Sequence, residues 1–228
     1  MGLTLRTIFA AIFIMAGALL LLWQPIVNQL IAPVMMEKAH EEVFALSYQD
    51  YRENREAIEL QEGMFDYESV SSLSSLSTSI DINHKNAIGE ILIPSVDVHL
   101  PILIGTNNDT LKAGIGTMKP GQQMGEGNYA LAGHNSRNPN QLFAPIRNME
   151  LGNTILITDK SQIYVYRMSS KEIVLPHRID VIEDIDNQSI VTLVSCYSDD
   201  GSDRIIIQGE LVDVVLYETL SEIVDEEK

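Results

Sequence analysis

The segment Ser189-Ile190-Val191-Thr192-Leu193-Val194-Ser195-Cys196 is an apolar and largely β-branched run that ends on the only cysteine of the 228-residue chain. A polar segment, residues 197–202, follows it, and residues 203–211 are again rich in Ile and Leu. Such runs, bounded by Ser, Asp and Gly, are typical of strand–loop–strand units. The sequence therefore predicts two neighbouring strands that place Cys196 and Arg204 opposite each other at the mouth of one loop.

A third residue with catalytic chemistry, His134, closes the apolar run of residues 129–134. The thiolate is the nucleophilic form of cysteine, and a Cys with an ordinary pKa of about 8.5 needs a cationic neighbour or a base. His134 can supply either, and it can then protonate a leaving amine. Arg204 stays charged and can stabilise an oxyanion or orient a substrate backbone. These three residues are the candidate catalytic set.

Each candidate also has a structural interpretation. Free Cys is among the most buried residue types and is often an apolar filler. A His at a strand end is often a satisfied structural side chain, and Arg204 could pair with Asp199, Asp200 or Asp203 in its own loop. Those aspartates lack the alternating spacing and the distal Glu of a calcium loop, which favours a solvated turn.

Three motifs resemble those of the sortases, the transpeptidases that attach surface proteins to the cell wall of Gram-positive bacteria. They are residues 131–134 (Leu-Ala-Gly-His), residues 192–196 (Thr-Leu-Val-Ser-Cys) and Arg204. The resemblance covers roughly residues 85–212 and includes residues 89–94, 100–102 and 114–118. One departure is Ser195, because the family usually has Thr directly before the Cys.

Short apolar runs at even spacing suggest a closed, all-β barrel. The predicted strands cover residues 88–93, 99–104, 129–134, 153–158, 162–168, 189–196 and 203–211. The resemblance makes this the eight-stranded sortase β-barrel, with short helical insertions.

The resemblance also implies a reaction and its partners. Cys196 would cleave the Thr–Gly bond of a Leu-Pro-X-Thr-Gly sorting signal on a surface protein, and an amino group of the peptidoglycan precursor, lipid II, would resolve the thioacyl enzyme. The predicted substrate-binding residues are Ala132, Val174, Leu175, Pro176, Ile179, Val194 and Ser195. No cofactor and no metal is predicted, because calcium-activated sortases hold the ion with several acidic residues before the His-bearing strand, where this chain has only Glu126.

Within the family, one apolar segment at the N-terminus and none near the C-terminus resemble the housekeeping class A. Class B usually has a helix before the Cys-bearing strand, whereas residues 169–188 contain Pro176 and show no helical period. A sortase of another class, class B-like or pilus-linked, remains the alternative, and a membrane-tethered binding module without catalysis is a further one. A papain-like protease would share the Cys and the His, but the local sequence around its Cys is absent here.

The chain outside the barrel predicts a membrane protein. Residues 7–23 carry no charge and the uncharged stretch continues to residue 36, long enough for the about 20 residues that span a bilayer. A cleaved signal peptide is the alternative, but the Leu-rich continuation to Trp23 favours an uncleaved anchor over residues 7–30. Arg6 on the short side assigns residues 1–6 to the cytoplasm and the remainder to the outside of the cell membrane.

The remaining segments complete the predicted organisation. Residues 31–86 form an extracytoplasmic stalk, with helical character over residues 37–62 and, over residues 63–86, either a Ser-rich linker or an arm that packs on the barrel. The catalytic domain covers residues 87–216, and residues 217–228 form an acidic tail. The net charge of −17 argues against nucleic-acid binding, which needs a basic face.

Overall fold

Eight strands close into one barrel in the order β1-β2-β3-β4-β7-β8-β6-β5. The computed structural model describes residues 5–26, 32–57, 64–65, 84–136, 138–198 and 200–227. The strands are β1 Ala87–Ile93, β2 Val98–Leu103, β3 Ile115–Thr117, β4 Asn128–Gly133, β5 Thr154–Thr158, β6 Gln162–Val174, β7 Ile190–Cys196 and β8 Arg204–Leu216. The predicted all-β, eight-stranded barrel with short helical insertions is confirmed.

The helices lie outside the barrel wall. The α-helices are α1 Leu5–Ile26, α2 Ala32–Phe44, α3 Tyr48–Ala57, α4 Asn108–Ala113 and α5 Leu220–Glu226. Short 3-10 helices occur at His84–Asn86, Pro94–Val96, Ala144–Asn148, Ile179–Ile182 and Tyr217–Thr219.

Strand β7 is buried at every position, which explains why its sequence is continuously apolar instead of alternating. Its inward residues Val191 and Leu193 belong to the main core inside the barrel. Its outward residue Val194 packs in a second cluster with Ile182 and Ile206, so both faces of the strand are covered. Strand β7 pairs in parallel with β4 and antiparallel with β8. The Cys-bearing strand is therefore a rigid central element of the wall.

Strand β6 is longer than the sequence predicts. It was expected to end at residue 168 but continues to Val174, and it pairs with β8 along this extension. Residues 169–172 are polar, and residues 169–173, including the apolar Ile173, are all exposed or half-buried, because this part of the ribbon has solvent on one face. The expected connection between β6 and the Cys-bearing strand therefore begins only after Val174.

The helices of the predicted stalk pack against the barrel. The expected helical character is present as α2 and α3, but these helices do not stand apart from the catalytic domain. His40 Nε2 lies 2.6 Å from the carbonyl oxygen of Ala113. Asn54 Nδ2 donates to the carbonyls of His84 and Ala87 at 2.7 and 2.8 Å. Polar side chains of the helices thus satisfy backbone groups at the edge of the barrel.

A buried carboxylate, Glu90 on β1, connects these helices to the wall. Glu90 is 2% exposed and accepts hydrogen bonds from Tyr51 Oη at 3.0 Å and His99 Nε2 at 2.7 Å. Lys160 Nζ lies 3.1 Å from the carboxylate and also donates to the carbonyls of Phe44 and, at 2.8 Å, Leu46. Burial by itself raises the pKa of Glu90, but the contacts with His99 and Lys160 outweigh it and hold that pKa below its ordinary value.

We expect Lys160→Met to destabilise the folded chain by about 3 kcal/mol, because it leaves the buried Glu90 charge without its ammonium partner. Urea unfolding measures this, with Lys38→Met on the exposed surface of α2 as the control. Since the folded-state pKa of Glu90 is depressed, its contribution to stability is present above the ordinary pKa of 4.5 and is lost as pH falls through the folded-state value. Equal stability of the two variants would contradict the role assigned to this pair.

Most of the predicted acidic tail has secondary structure. Residues 217–226 form a 3-10 turn and α5, whose Leu220, Ile223 and Val224 pack on the outer face of β5 and β6. The spacing of these apolar positions gives the short helix one apolar face. The prediction of an acidic tail overlooked that pattern.

Two predicted N-terminal features lie partly outside the described residues. Within the part of the chain that the structure describes, no helix is long and apolar enough to cross a membrane. The predicted anchor includes residues 27–30, which fall outside this part, as do residues 66–83 of the predicted linker or arm. At the start of that arm Met64 is buried in the main core, and its carbonyl accepts from the Thr106 amide at 2.8 Å.

Candidate active site

The register of two strand pairs brings Cys196 together with His134 and Arg204. In the parallel pair of β4 and β7, Ala132 lies beside Val194, and the same register continued by two residues sets His134 level with Cys196. In the antiparallel pair of β7 and β8, Cys196 and Arg204 are direct partners. The expected position of Cys196 opposite Arg204 is confirmed. All three candidate residues therefore lie at one end of the barrel.

The thiol and the imidazole are both deeply buried, with 2% of Cys196 and 1% of His134 exposed. Burial raises the pKa of the Cys196 thiol; the nearby charge of Arg204 lowers it and that of Asp203 raises it, and the net shift is upward. Burial therefore makes the thiol harder to ionise in this conformation. Its activation requires a base that accepts the proton when the substrate arrives.

Arg204 is held by its own loop through backbone oxygens. Its Nη1 donates to the carbonyls of Gly201 and Asp203, both at 2.9 Å. The Asp203 carboxylate instead accepts from the backbone amide of Ser198 at 2.7 Å and from its hydroxyl at 2.9 Å. The loop thus fixes one nitrogen of the Arg204 guanidinium, and the Asp203 carboxylate stabilises the turn after Cys196.

Ser195 connects the strand that bears the Cys to the strand that bears the His. Its hydroxyl donates to the carbonyl of Gly133 at 2.8 Å, and the side chain is 1% exposed. The hydroxyl that Ser shares with Thr is therefore used inside the wall, between the positions of His134 and Cys196. Ala132 is likewise fully buried. Both residues, predicted to bind substrate, are buried in the barrel wall.

We expect Ser195→Ala to lower the free energy of unfolding by about 1 kcal/mol, because the buried Gly133 carbonyl loses its side-chain donor. The rate of peptide cleavage should fall too, since this bond fixes the spacing between β4 and β7. Ser195→Thr keeps the hydroxyl and is the matched variant. An Ala variant as stable and as active as the Thr variant would show that the bond has no positioning role.

The backbone that carries His134 is packed under an aromatic ring. A Cβ atom added to Gly133 would lie 2.6 Å from Cδ2 of Phe143, so only glycine fits there without a shift of the ring. The amide of Phe143 also donates to the carbonyl of His134 at 3.1 Å. Phe143 therefore fixes the strand end from which the imidazole projects.

A groove of largely apolar character lies beside Arg204. It contains four of the predicted substrate-binding residues, Val174, Pro176, Ile179 and Val194. Leu175 is 57% exposed and does not line the groove. The groove is completed by residues that the sequence did not single out: Met118, Arg178, Val181, Ile182 and Ile206.

These additional residues had recognisable signals in two cases. Ile206 is two residues after Arg204 on β8, and alternate residues of a strand share a face. Met118 directly follows β3, at the end of the segment 114–118 that resembles the sortases. Arg178, Val181 and Ile182 lie in and before a 3-10 helix that the sequence did not predict.

The comparison with known families identifies the fold. A family model described as the Sortase domain matches residues 91–212. The chain belongs to the sortase family. Sortases are cysteine transpeptidases, so the chain is an enzyme of that class.

Curated relatives point to class A within the family. Sortase A of Streptococcus agalactiae is 33% identical over 214 residues, which cover 90% of this chain and 84% of that protein. Sortase A of Listeria monocytogenes is 33% identical over 205 residues, with 88% and 89% covered. The solved structure of the Listeria sortase A has a TM-score of 0.56 at 35% identity and covers 57% of this chain and 90% of that one. The resemblance to class A is thereby supported.

The region before the His-bearing strand of this sortase contains an ion pair. Lys119 Nζ lies 2.6 Å from Oδ1 of Asp184, and the same oxygen accepts from the backbone amide of Asn128 at 2.8 Å. Asp184 belongs to the connection between β6 and β7. The sequence before His134, where acidic residues that hold calcium were sought, therefore does not contain it. Among the described residues, no three His, Cys, Asp or Glu side chains are grouped as metal ligands would be.

Proposed function

We propose that this sortase cleaves the Thr–Gly bond of a Leu-Pro-X-Thr-Gly sorting signal and transfers the surface protein to an amino group of the peptidoglycan precursor lipid II. The observation that supports this most directly is the alignment of His134, Cys196 and Arg204 at one end of β4, β7 and β8. A nucleophile, a base and a fixed cation within one strand-end cluster match the needs of acyl transfer.

The proposed first half-reaction moves one proton and breaks one bond. His134 takes the proton of the Cys196 thiol as the sulfur attacks the Thr carbonyl carbon. Arg204 donates hydrogen bonds to the oxyanion that forms. When the Thr–Gly bond breaks, His134 returns the proton to the leaving Gly nitrogen, and the acyl group remains on the sulfur as a thioester.

The second half-reaction reverses these roles with another amine. The amino group of lipid II attacks the thioester carbon, His134 accepts the proton that this nitrogen loses, and the Cys196 thiolate leaves and is protonated. The product is an amide between the Thr carbonyl and the acceptor amine. Because the thiol is 2% exposed in the free enzyme, we infer that substrate binding opens the strand end before attack.

The groove beside Arg204 suits the apolar start of the signal. Val174, Pro176, Ile179 and Val194 offer contacts for the Leu and Pro side chains, and the buried Ala132 and Ser195 support that wall. An extended peptide laid along this groove would reach Cys196 from the side of Val194. The proposed catalytic domain covers residues 87–216, and α2, α3 and α5 pack on it.

We also propose that residues 7–30 anchor the chain in the cell membrane, with residues 1–6 in the cytoplasm and the catalytic domain outside. The support is the uncharged sequence of residues 7–36 and the position of Arg6. Membrane fractionation of the full chain tests it. Extraction of the chain by alkaline carbonate, as for a peripheral protein, would contradict the proposal.

Mass spectrometry of the acyl enzyme tests the proposed chemistry. The chain is mixed with a sorting-signal peptide and quenched in acid, and Cys196 should carry the fragment that ends in Thr. Hydroxylamine should release this fragment, as it does with thioesters. Cleavage of the peptide without any adduct on Cys196, or an adduct that ends at another residue, would contradict the proposal.

A further inference from the structure

Arg147 touches both loops that follow the catalytic residues. It lies in the 3-10 helix Ala144–Asn148, and its Nη2 donates to Oδ1 of Asn135 and to the carbonyl of Tyr197, both at 3.2 Å. The centre of its guanidinium also lies 5.5 Å from the centroid of the Tyr197 ring. Asn135 directly follows His134, and Tyr197 directly follows Cys196.

We propose that Arg147 is a positioning residue, which sets the separation of the His134 imidazole and the Cys196 sulfur by bridging the two loops. The proposal rests on the transpeptidase function proposed above and adds a residue outside the catalytic set. Arg147 acts through Asn135 and Tyr197.

The strand pairing ends before it reaches the reacting groups. The last residues paired between β4 and β7 are Ala132 and Val194, and one further bond joins Ser195 to Gly133. Beyond this point the amide of Tyr197 makes only a long bond, 3.4 Å, to the carbonyl of Asp203. Arg147 bridges Asn135, which follows the end of β4, and Tyr197, which follows the end of β7. It therefore continues the connection between the two strands past their ends.

Arginine suits this position for two reasons. One nitrogen of its planar group carries two hydrogens, which can point to two acceptors at once, and the flat face can lie over an aromatic ring. Proton transfer between sulfur and imidazole requires hydrogen-bond reach, and a displacement of about 1 Å can cost about a hundredfold in rate. The side chain is exposed, so its bonds contribute little to the stability of the fold. The expected effect is therefore on rate and on reactivity of the thiol, with little effect on unfolding.

The test compares Arg147→Ala, Arg147→Lys, Asn135→Ala and the double variant Asn135→Ala with Arg147→Ala. Arg52→Ala, which removes an exposed arginine paired with Glu56, is the matched control. We expect Arg147→Ala to lower kcat for a sorting-signal peptide about tenfold or more, while KM changes by less than about twofold. The kcat of Arg147→Lys should lie between those of the wild type and Arg147→Ala, because the shorter Lys side chain reaches only one of the two acceptors. The double variant should be no slower than Arg147→Ala alone, since both remove the same bridge.

A second readout needs no substrate. The pH profile of Cys196 alkylation should move to higher pH in Arg147→Ala, because the imidazole no longer holds its place beside the sulfur, and should stay unchanged in Arg52→Ala. Wild-type kcat together with a wild-type alkylation profile in folded Arg147→Ala would overturn the proposal, as would additive losses in the double variant. If Arg147→Ala does not fold, Arg147→Lys and Asn135→Ala decide by the same criteria. If the wild-type chain does not cleave the peptide, the proposed function fails, and the alkylation profile still decides whether Arg147 positions the thiol.

Discussion

Replacement of Cys196 by Ala should abolish both cleavage and transfer, with activity reduced by more than about a thousandfold. A methyl group cannot attack a carbonyl carbon, and the chain contains no other thiol that could substitute. The fold should survive, because Ala removes only one heavy atom from a buried site and leaves both strand pairs of β7 intact. The cost in stability should be about 1 kcal/mol.

The measurement combines cleavage of a sorting-signal peptide with a thermal unfolding curve of the same sample. A Cys196→Ala variant that unfolds like the wild type and shows no turnover supports the assignment. Turnover above about a thousandth of the wild-type rate in that sample would contradict the assignment of Cys196 as the nucleophile.

Replacement of Arg204 by Lys should lower kcat/KM by about a hundredfold, although the positive charge remains. The Arg204 guanidinium donates from one nitrogen to the carbonyls of Gly201 and Asp203, and it can do so while its other nitrogens point to an oxyanion. A Lys ammonium has no second nitrogen and cannot hold the loop and the substrate with the same planar group. A fall in kcat/KM would therefore show that the hydrogen-bond geometry of Arg204 is required in addition to its charge.

Arg52→Lys is the matched control for this substitution. Arg52 is an exposed arginine on α3 that pairs with Glu56 at 3.7 Å and does not line the groove. Steady-state kinetics with one peptide should show a small effect for Arg52→Lys and a large one for Arg204→Lys. Similar activity of the Arg204→Lys variant and the wild type would assign Arg204 a general electrostatic role instead.

The positions of the three candidate residues, at or beside strand ends, could be predicted from the sequence. Local patterns predict a strand for the β-branched run before Cys196 and another for the apolar run before His134. Arg204 is predicted at the start of the next strand, after the loop that follows Cys196. The geometric relation of Cys196 to Arg204 required only that the two strands be neighbours. The predicted end of β6 was wrong by six residues. The extension of the strand is polar on its solvent side, and a polar sequence of this kind is also typical of a loop.

Contacts between distant parts of the chain could not be predicted in this way. Glu90 and Lys160 are separated by 70 positions in the sequence. Nothing in the sequence around either residue indicates that the Lys160 ammonium pairs with the buried Glu90 carboxylate. The same holds for Arg147, which is one of several surface arginines until the fold places it between Asn135 and Tyr197. Such side-chain pairs depend on how the elements dock and leave no periodic signal.

Transfer through a thioacyl enzyme differs from hydrolysis in the fate of the acyl group when an amine acceptor is present. The full chain is incubated with a sorting-signal peptide and increasing concentrations of an oligoglycine or diamino acceptor, and the products are separated by mass. We predict that a product with the Thr carbonyl joined to the acceptor amine grows with acceptor concentration, at the expense of the free acid. Cleavage that yields only the free acid at every acceptor concentration would contradict this account and identify the chain as a hydrolase.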